Sequence, residues 1–232
     1  MALGLIDPKS LFKTGLVLAA ATVPLSGCGS EAAKAVGLKN AEADITYVNA
    51  TDEMATFYLK RDKTFDNDDE DKLFREKYEV ARDLPSNNAT NRIEHDFPYI
   101  ENGIHLGVRK SISQTRQKLI SKHISDNNDL WAIAWQDGNE YELTLMKRKR
   151  TNKDSQYSVR VFSNTRLPVY INGSHSAETT AKKGEATKHL TINNCADGLV
   201  VGDNSIDLCN GDYGHSYLLV VNEDGLRMMV QE

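Results

Sequence analysis

The feature that most limits this chain is a pattern that occurs twice. Asp44-Ile45-Thr46-Tyr47-Val48-Asn49 is a β-like run that ends in Asn, and after a few turn-prone residues Met54-Ala55-Thr56-Phe57-Tyr58-Leu59 follows. Tyr157-Ser158-Val159-Arg160-Val161-Phe162-Ser163-Asn164 repeats the plan and runs into Leu167-Pro168-Val169-Tyr170-Ile171. Alternation with a period of two marks half-buried strands, and self-similarity of this kind indicates two copies of one β unit. The other runs agree. Ile104 to Val108, Leu119 to Ile124, Leu130 to Trp135 and Tyr141 to Met146 follow the first copy; Lys188 to Ile192, Leu199 to Val201, Ser216 to Val221 and Leu226 to Val230 follow the second. Each is bounded by Gly, Asn, Asp or a charge cluster. Asp137-Gly138 and Asn222-Glu223-Asp224-Gly225 stand where hairpin turns belong. Glu70 to Arg82 is the exception, with apolar residues at Leu73, Phe74, Tyr78 and Ala81 that predict one short helix.

Lys147 to Ser155 (KRKRTNKDS) contains no apolar residue, and the domain boundary is placed there. The expected fold is mostly β, with two antiparallel β-sandwiches in tandem. One spans 44–150 and includes the short helix, and the other spans 151–232. The repeated strand–Asn–turn–strand unit resembles the Ig-like modules found in tandem in bacterial surface lipoproteins, over about fifteen residues per copy.

The N-terminal 27 residues have the parts of a secretory signal: Lys9 and Lys13, then the uncharged run Gly15 to Leu25, then small residues. That run is shorter than the roughly 20 apolar residues a spanning helix needs. Leu25-Ser26-Gly27-Cys28 resembles the lipobox of bacterial lipoproteins. The resemblance implies cleavage before Cys28 and acylation of its sulfur, and two or three acyl chains hold a protein on a bilayer. Residues 28–43 then read as a tether. Gly29 after the cysteine resembles the sorting pattern for an outer-membrane destination, so the expected location is the bacterial cell envelope, facing the periplasm or the cell surface.

The 232 residues carry 28 basic and 33 acidic side chains, a net charge of −5. A mildly acidic chain argues against nucleic acid as a partner. With Cys28 assigned to lipid, Cys195 and Cys209 remain as a pair in an oxidising compartment, which predicts a disulfide.

Several residues carry possible chemistry, each with an ordinary alternative. Asp66, Asp68 and Glu70 alternate in an acidic run that calcium could use. The EF-hand glycine and twelfth-position acid are missing, and a solvated loop fits as well. Trp131 and Trp135 lie on one face of a strand, a platform for sugar rings if exposed and core if buried. Lys147-Arg148-Lys149-Arg150 could meet anionic lipid or lipopolysaccharide phosphates, or form a solvated hinge. Glu94-His95-Asp96 could belong to a metal or acid–base site, and in the loop Gly211-Asp212-Tyr213-Gly214-His215 the residues Tyr213 and His215 suit recognition; ordinary surface histidine is the alternative for both. The Asn-X-Ser/Thr triplets at Asn49, Asn88 and Asn172 are read as turns. No cofactor motif, metal-ligand spacing or catalytic motif is present in the sequence. The expected function is a non-enzymatic binding or scaffolding lipoprotein whose partner is another envelope protein or a cell-wall polymer. The alternatives are a glycan- or calcium-binding module and a hydrolase with a nonlocal site.

Overall fold

The computed structural model describes residues 41–62, 70–97, 103–113 and 117–232. Cys28, the acylation motif, Asp66 and Asp68 lie outside these residues. The fold is mostly β: seventeen strands among the described residues, and no helical segment there longer than four residues.

The strands form four sheets. In the first, β1 (Ala41–Asn49) lies between β5 (Ile93–Phe97) and β8 (Asn128–Asp137); β8 continues to β9 (Glu140–Lys147), and the short β4 (Asn88–Ala89) also pairs β1. The second runs β3 (Glu79–Leu84), β2 (Ala55–Asp62), β6 (Gly103–Lys110), β7 (Gln117–His123). The third runs β13 (Leu190–Ile192), β10 (Tyr157–Ser163), β16 (Ser216–Asn222), β17 (Gly225–Gln231). The fourth runs β12 (Thr179–Ala181), β11 (Leu167–Ile171), β14 (Leu199–Val201), β15 (Asn204–Ser205). All pairings are antiparallel except β1 with β8 and β10 with β16, which are parallel.

Three apolar clusters join these sheets into a stack. Ile45, Tyr47, Ala132 and Leu143 of the first sheet meet Phe57, Leu59, Ile104 and Leu106 of the second. Val159, Val161 and Leu219 of the third meet Val169, Leu199 and Val201 of the fourth. Between the first and third sheets, Val48, Trp131, Ile133 and Trp135 meet Phe162, Leu218 and Val220. The strands of the two inner sheets are therefore covered on both faces. That is why Leu130 to Trp135 contains no polar residue of either parity and all six of its residues are buried.

The pairing scheme of residues 41–147 recurs in 157–231, with the isolated Phe162–Ala186 bridge answering β4, and the recurrence extends to single hydrogen bonds. Thr90 N–H donates to Tyr47 O (2.9 Å) while its Oγ1 accepts from Tyr47 N–H (3.1 Å). Thr187 does the same with Val161, at 3.0 and 3.0 Å. Asn87 N–H donates to Asn49 O and Gly184 N–H to Ser163 O, each at 2.8 Å, and both donors have positive φ (55° and 71°). Arg148 N–H reaches Asp129 O and Glu232 N–H reaches Ser216 O, each at 2.8 Å. One detail of the sequence alignment shifts by a residue. The counterpart of Asn49 is Ser163, not Asn164: the Asn49 and Ser163 side-chain oxygens each accept the N–H two residues on, from Thr51 (3.0 Å) and Thr165 (3.2 Å). Asn and Ser both form this turn, so the residue type changes while the bond persists.

Three expectations about local structure are corrected. β1 opens at Ala41, with Ala41 and Ala43 buried, so the last three residues assigned to the tether belong to the fold. The helix expected over 70–82 is instead a single turn, α1 (Glu70–Leu73), then a 3₁₀ turn (Glu76–Tyr78), then strand β3. Helices are costly to nucleate, and Val80 and Ala81 gain more by joining β2 beside the first core. Leu73 and Phe74 instead fold over the outer face of the second sheet at Gly107. A Cβ there would come within 2.6 Å of Leu73 Cδ2 and 2.9 Å of Phe74 Cε1. Arg109 lies 4.7 Å above the Phe74 ring and Tyr58 packs on its edge. Finally, β3, β5 and β12 were not anticipated as strands. β5 holds the Glu94-His95-Asp96 triplet.

Candidate functional site

The densest polar chemistry lies at the seam between the first and third sheets. Arg160 is the one charge in the otherwise uncharged strand β10, and it faces the seam. Its Nε donates to both Glu232 carboxylate oxygens (2.9 and 3.2 Å), and its Nη2 donates to the same carboxylate and to Lys147 O (3.1 Å). Trp131 Nε1 donates to Glu232 Oε1 (3.2 Å). His189 Nε2 stands 3.0 Å from Glu232 Oε2 and 3.0 Å from Lys149 O. Both of those neighbours are acceptors, so Nε2 carries the proton, and Nδ1 faces Thr151 Oγ1 at 3.3 Å. The Glu232 side chain is fully buried and surrounded by donors. A carboxylate with its lone pairs engaged in this way is a fastener and not a general base.

Arg148 completes the seam from the other half. Its guanidinium lies 4.5 Å over the Trp131 ring, donates to Gln231 O (2.5 Å) and Thr46 Oγ1 (3.3 Å), and faces Asp129. Its side chain is 12% exposed, so the solvated hinge expected at Lys147–Arg150 does not describe Arg148. At the far end, Trp135 Nε1 donates to Thr144 Oγ1, which donates to Gly184 O, each at 3.0 Å. A Cβ on Gly184 would approach Trp135 Cζ2 to 2.6 Å, and its φ of +71° also favours glycine.

The exposed-platform reading of Trp131 and Trp135 is corrected by this arrangement. Trp131 is 0% and Trp135 7% exposed, and the face they share is filled by Phe162, Leu218 and Val220. Ordinary structural contacts account for other residues singled out in the sequence. His95 sits beneath the first sheet, where its Nε2 and the Tyr47 hydroxyl share a hydrogen bond of 2.9 Å. Tyr213 is half exposed, with its ring 4.5 Å from that of Tyr157, and the loop is tied down by Gly214 N–H to Gln156 O (3.0 Å) and Asp212 N–H to Tyr217 Oη (2.7 Å). His215 Nδ1 lies 2.9 Å from Gln231 Nε2. The disulfide Cys195–Cys209 is present with Cα atoms 4.8 Å apart. In a chain-entropy treatment it stabilises by about 3 kcal/mol. Glu70 opens α1. The structure thus scatters Trp131, Tyr213 and His95 instead of bringing them together. Sequence reading missed Glu232, Lys182 and Lys188. The lone charge of Arg160 within an uncharged strand was a visible sign that a buried acid had to exist somewhere.

Burial holds His95 well below the usual histidine range, at about 4; the nearby Arg61 charge lowers it further, while Asp44 and Asp96 oppose. The sign of the resulting pH dependence follows. Between about pH 6.5 and pH 4 the unfolded chain binds a proton that the folded chain refuses, so stability is full above 6.5 and declines as pH falls toward 4. Urea titrations should show a His95-dependent loss of about 2 kcal/mol from pH 7 to about pH 4.5. His95→Gln should remove that part of the pH dependence; an unchanged slope in the variant would overturn the assignment.

Along the β9 flank of the seam runs a groove. One cavity, of about 500 Å³, is lined by Thr179, Lys182, Glu185, Lys188 and His189 among others. A second, of about 390 Å³, shares Glu185 and Ala186 and adds Thr144, Lys147, Lys149 and Arg160. Among the described residues no group of three or more His, Cys, Asp or Glu side chains is arranged to hold a metal. No protein-family model matches the chain, and no curated protein matches its sequence.

Proposed function

We propose that this protein is a lipid-anchored component of a bacterial cell envelope, built from two tandem β-sandwich units of Ig-like type. In this reading it acts as a non-enzymatic binding or scaffolding module for another envelope protein or a polymer. The observation that carries the reading is the seam. Two copies of one strand scheme are joined through Trp131, Ile133, Phe162 and Leu218 and fastened by the buried Arg160–Glu232 pair. Such a join fixes the surfaces of both units relative to each other, as a scaffold requires, and it spends the most polar buried cluster on internal contacts. The Leu25-Ser26-Gly27-Cys28 motif supports the anchor, with Cys28 only thirteen residues before the start of β1.

Two measurements test the proposal. Cells expressing the full chain should incorporate labelled palmitate into it, and Cys28→Ser should abolish the label and leave a longer, unprocessed chain. Labelling that persists in Cys28→Ser, or never appears, overturns the anchor. For the partner, photo-crosslinkers at the exposed positions Arg150, Lys188 and Tyr213 should trap one discrete adduct in cells. Turnover of an envelope substrate that disappears on substituting His189 would sink the non-enzymatic reading.

A further inference from the structure

The repeat supplies an internal control for the groove beside β9. The matching of Val48–Ala89 with Phe162–Ala186, and of Ile45–Ile93 with Val159–Leu190, aligns residues 85–93 with 182–190. The pairs Leu130–Lys147 and Tyr217–Gln231 align Lys147 with Gln231. In the second half the groove positions hold Lys182, Lys188 and Glu185; the first half has Pro85, Asn91 and Asn88 in their places, and Gln231 in place of Lys147. The same backbone bonds form on both flanks, so the seam does not need the lysines. Structure alone leaves them without a purpose.

Their surroundings say what they could hold. Lys147, Lys149 and Lys188 are exposed and have no carboxylate partner among the described residues; Lys182 faces Glu185 only at a surface-exposed 4.0 Å. Glu178 and Glu185 are the acids of the lining, and Arg160 is already neutralised by Glu232. The groove is thus a net basic strip on a chain of net charge −5. It is flanked by the hydroxyls of Thr179 and Thr187 and runs past Gly184 and Thr144 to Lys147 and Lys149. Lysine ammonium groups serve as point charges for phosphates. Several in a row suit a linear ligand with repeated phosphates better than a single ion.

We infer that this groove binds a linear phosphate-bearing polyanion, held by Lys147, Lys149, Lys182 and Lys188. The inference rests on the envelope reading above for where such a polymer is met, and the two fail separately, since palmitate labelling reports only on the anchor. The test uses the full chain in detergent with fluorescein-labelled inorganic polyphosphate as the probe, read by anisotropy. Binding should weaken about 50-fold between about 50 and 200 mM salt, as expected for roughly four phosphate contacts to a single strand. The quadruple variant K147Q/K149Q/K182Q/K188Q should lose at least about 10-fold in affinity with an unchanged melting temperature, because exposed lysines contribute little to stability. A control with K60Q/K72Q/K77Q/K122Q should bind as the parent does. Equal loss in the control, or no binding by the parent, overturns the groove. Capture only by phosphatidylglycerol vesicles, with no binding to the soluble polymer, also overturns it, because that result describes a membrane-facing surface.

Discussion

Replacing Arg160 with methionine is expected to destabilise the protein by about 3–5 kcal/mol. The substitution keeps much of the side-chain volume and removes two donor groups, Nε and Nη2, that make three hydrogen bonds to Glu232. It leaves a fully buried carboxylate with only Trp131 Nε1 and His189 Nε2. The greater part of that cost is the unpaired charge and not the lost attraction. The double variant Arg160→Met/Glu232→Met therefore separates the two contributions. An apolar pair of similar size in a seam already lined by Leu218 and Val220 should recover most of the loss. Urea unfolding of the three proteins checks it. If the double variant is as unstable as the single one, the pair has a structural value that its charge alone does not explain.

Trp131→Ala is the second large effect, at about 3–5 kcal/mol. The indole is fully buried between the two inner sheets, carries the Arg148 guanidinium on its face and donates to Glu232. Its removal opens a cavity where both halves meet, so the loss should fall on their association more than on either outer core. Hydrogen exchange should show this as faster exchange of β8, β9, β16 and β17 amides, with those of β6 and β14 slowed as before. Uniform acceleration across all four sheets would mean that the halves unfold as one unit from any perturbation.

How much of this could be read from residues alone differs by element. The strands Ser216–Asn222 and Leu199–Val201 and the turn after Asp137 were plain in the sequence, because alternation and turn chemistry are local. The repeat was also legible, though not its register, since a side-chain oxygen and not a residue type defines the turn at Asn49 and Ser163. The helix over 70–82 was misread because apolar spacing at Leu73, Phe74 and Tyr78 serves equally to cover the second sheet and to lead into β3. The seam was half visible: runs such as Leu130 to Trp135, apolar at both parities, announce burial on two sides, but nothing local says what lies opposite. Of the lysine groove only the basic run at Lys147–Arg150 stood out, and its union with Lys182 and Lys188 was hidden for a deeper reason. Its two contributing stretches, Lys147–Lys149 and Lys182–Lys188, become neighbours only after β9, β10 and β12 are in place.

The two parallel pairings set the order in which this chain can acquire structure during synthesis. β1 has its β5 neighbour early, yet its other edge waits for β8, with Ala43 opposite Asn128. β10 likewise waits for β16, with Ser158 opposite Ser216. Contacts so distant along the chain carry loop-closure entropy before they return any burial, which slows folding. Until residue 222 has been made, the edge of β10 that receives β16 stays open, and Arg160 has no Glu232 to meet. In a nascent chain of this design, β10 keeps an open edge across more than fifty residues of synthesis, and Arg160 stays an unpaired charge until Glu232 follows β17.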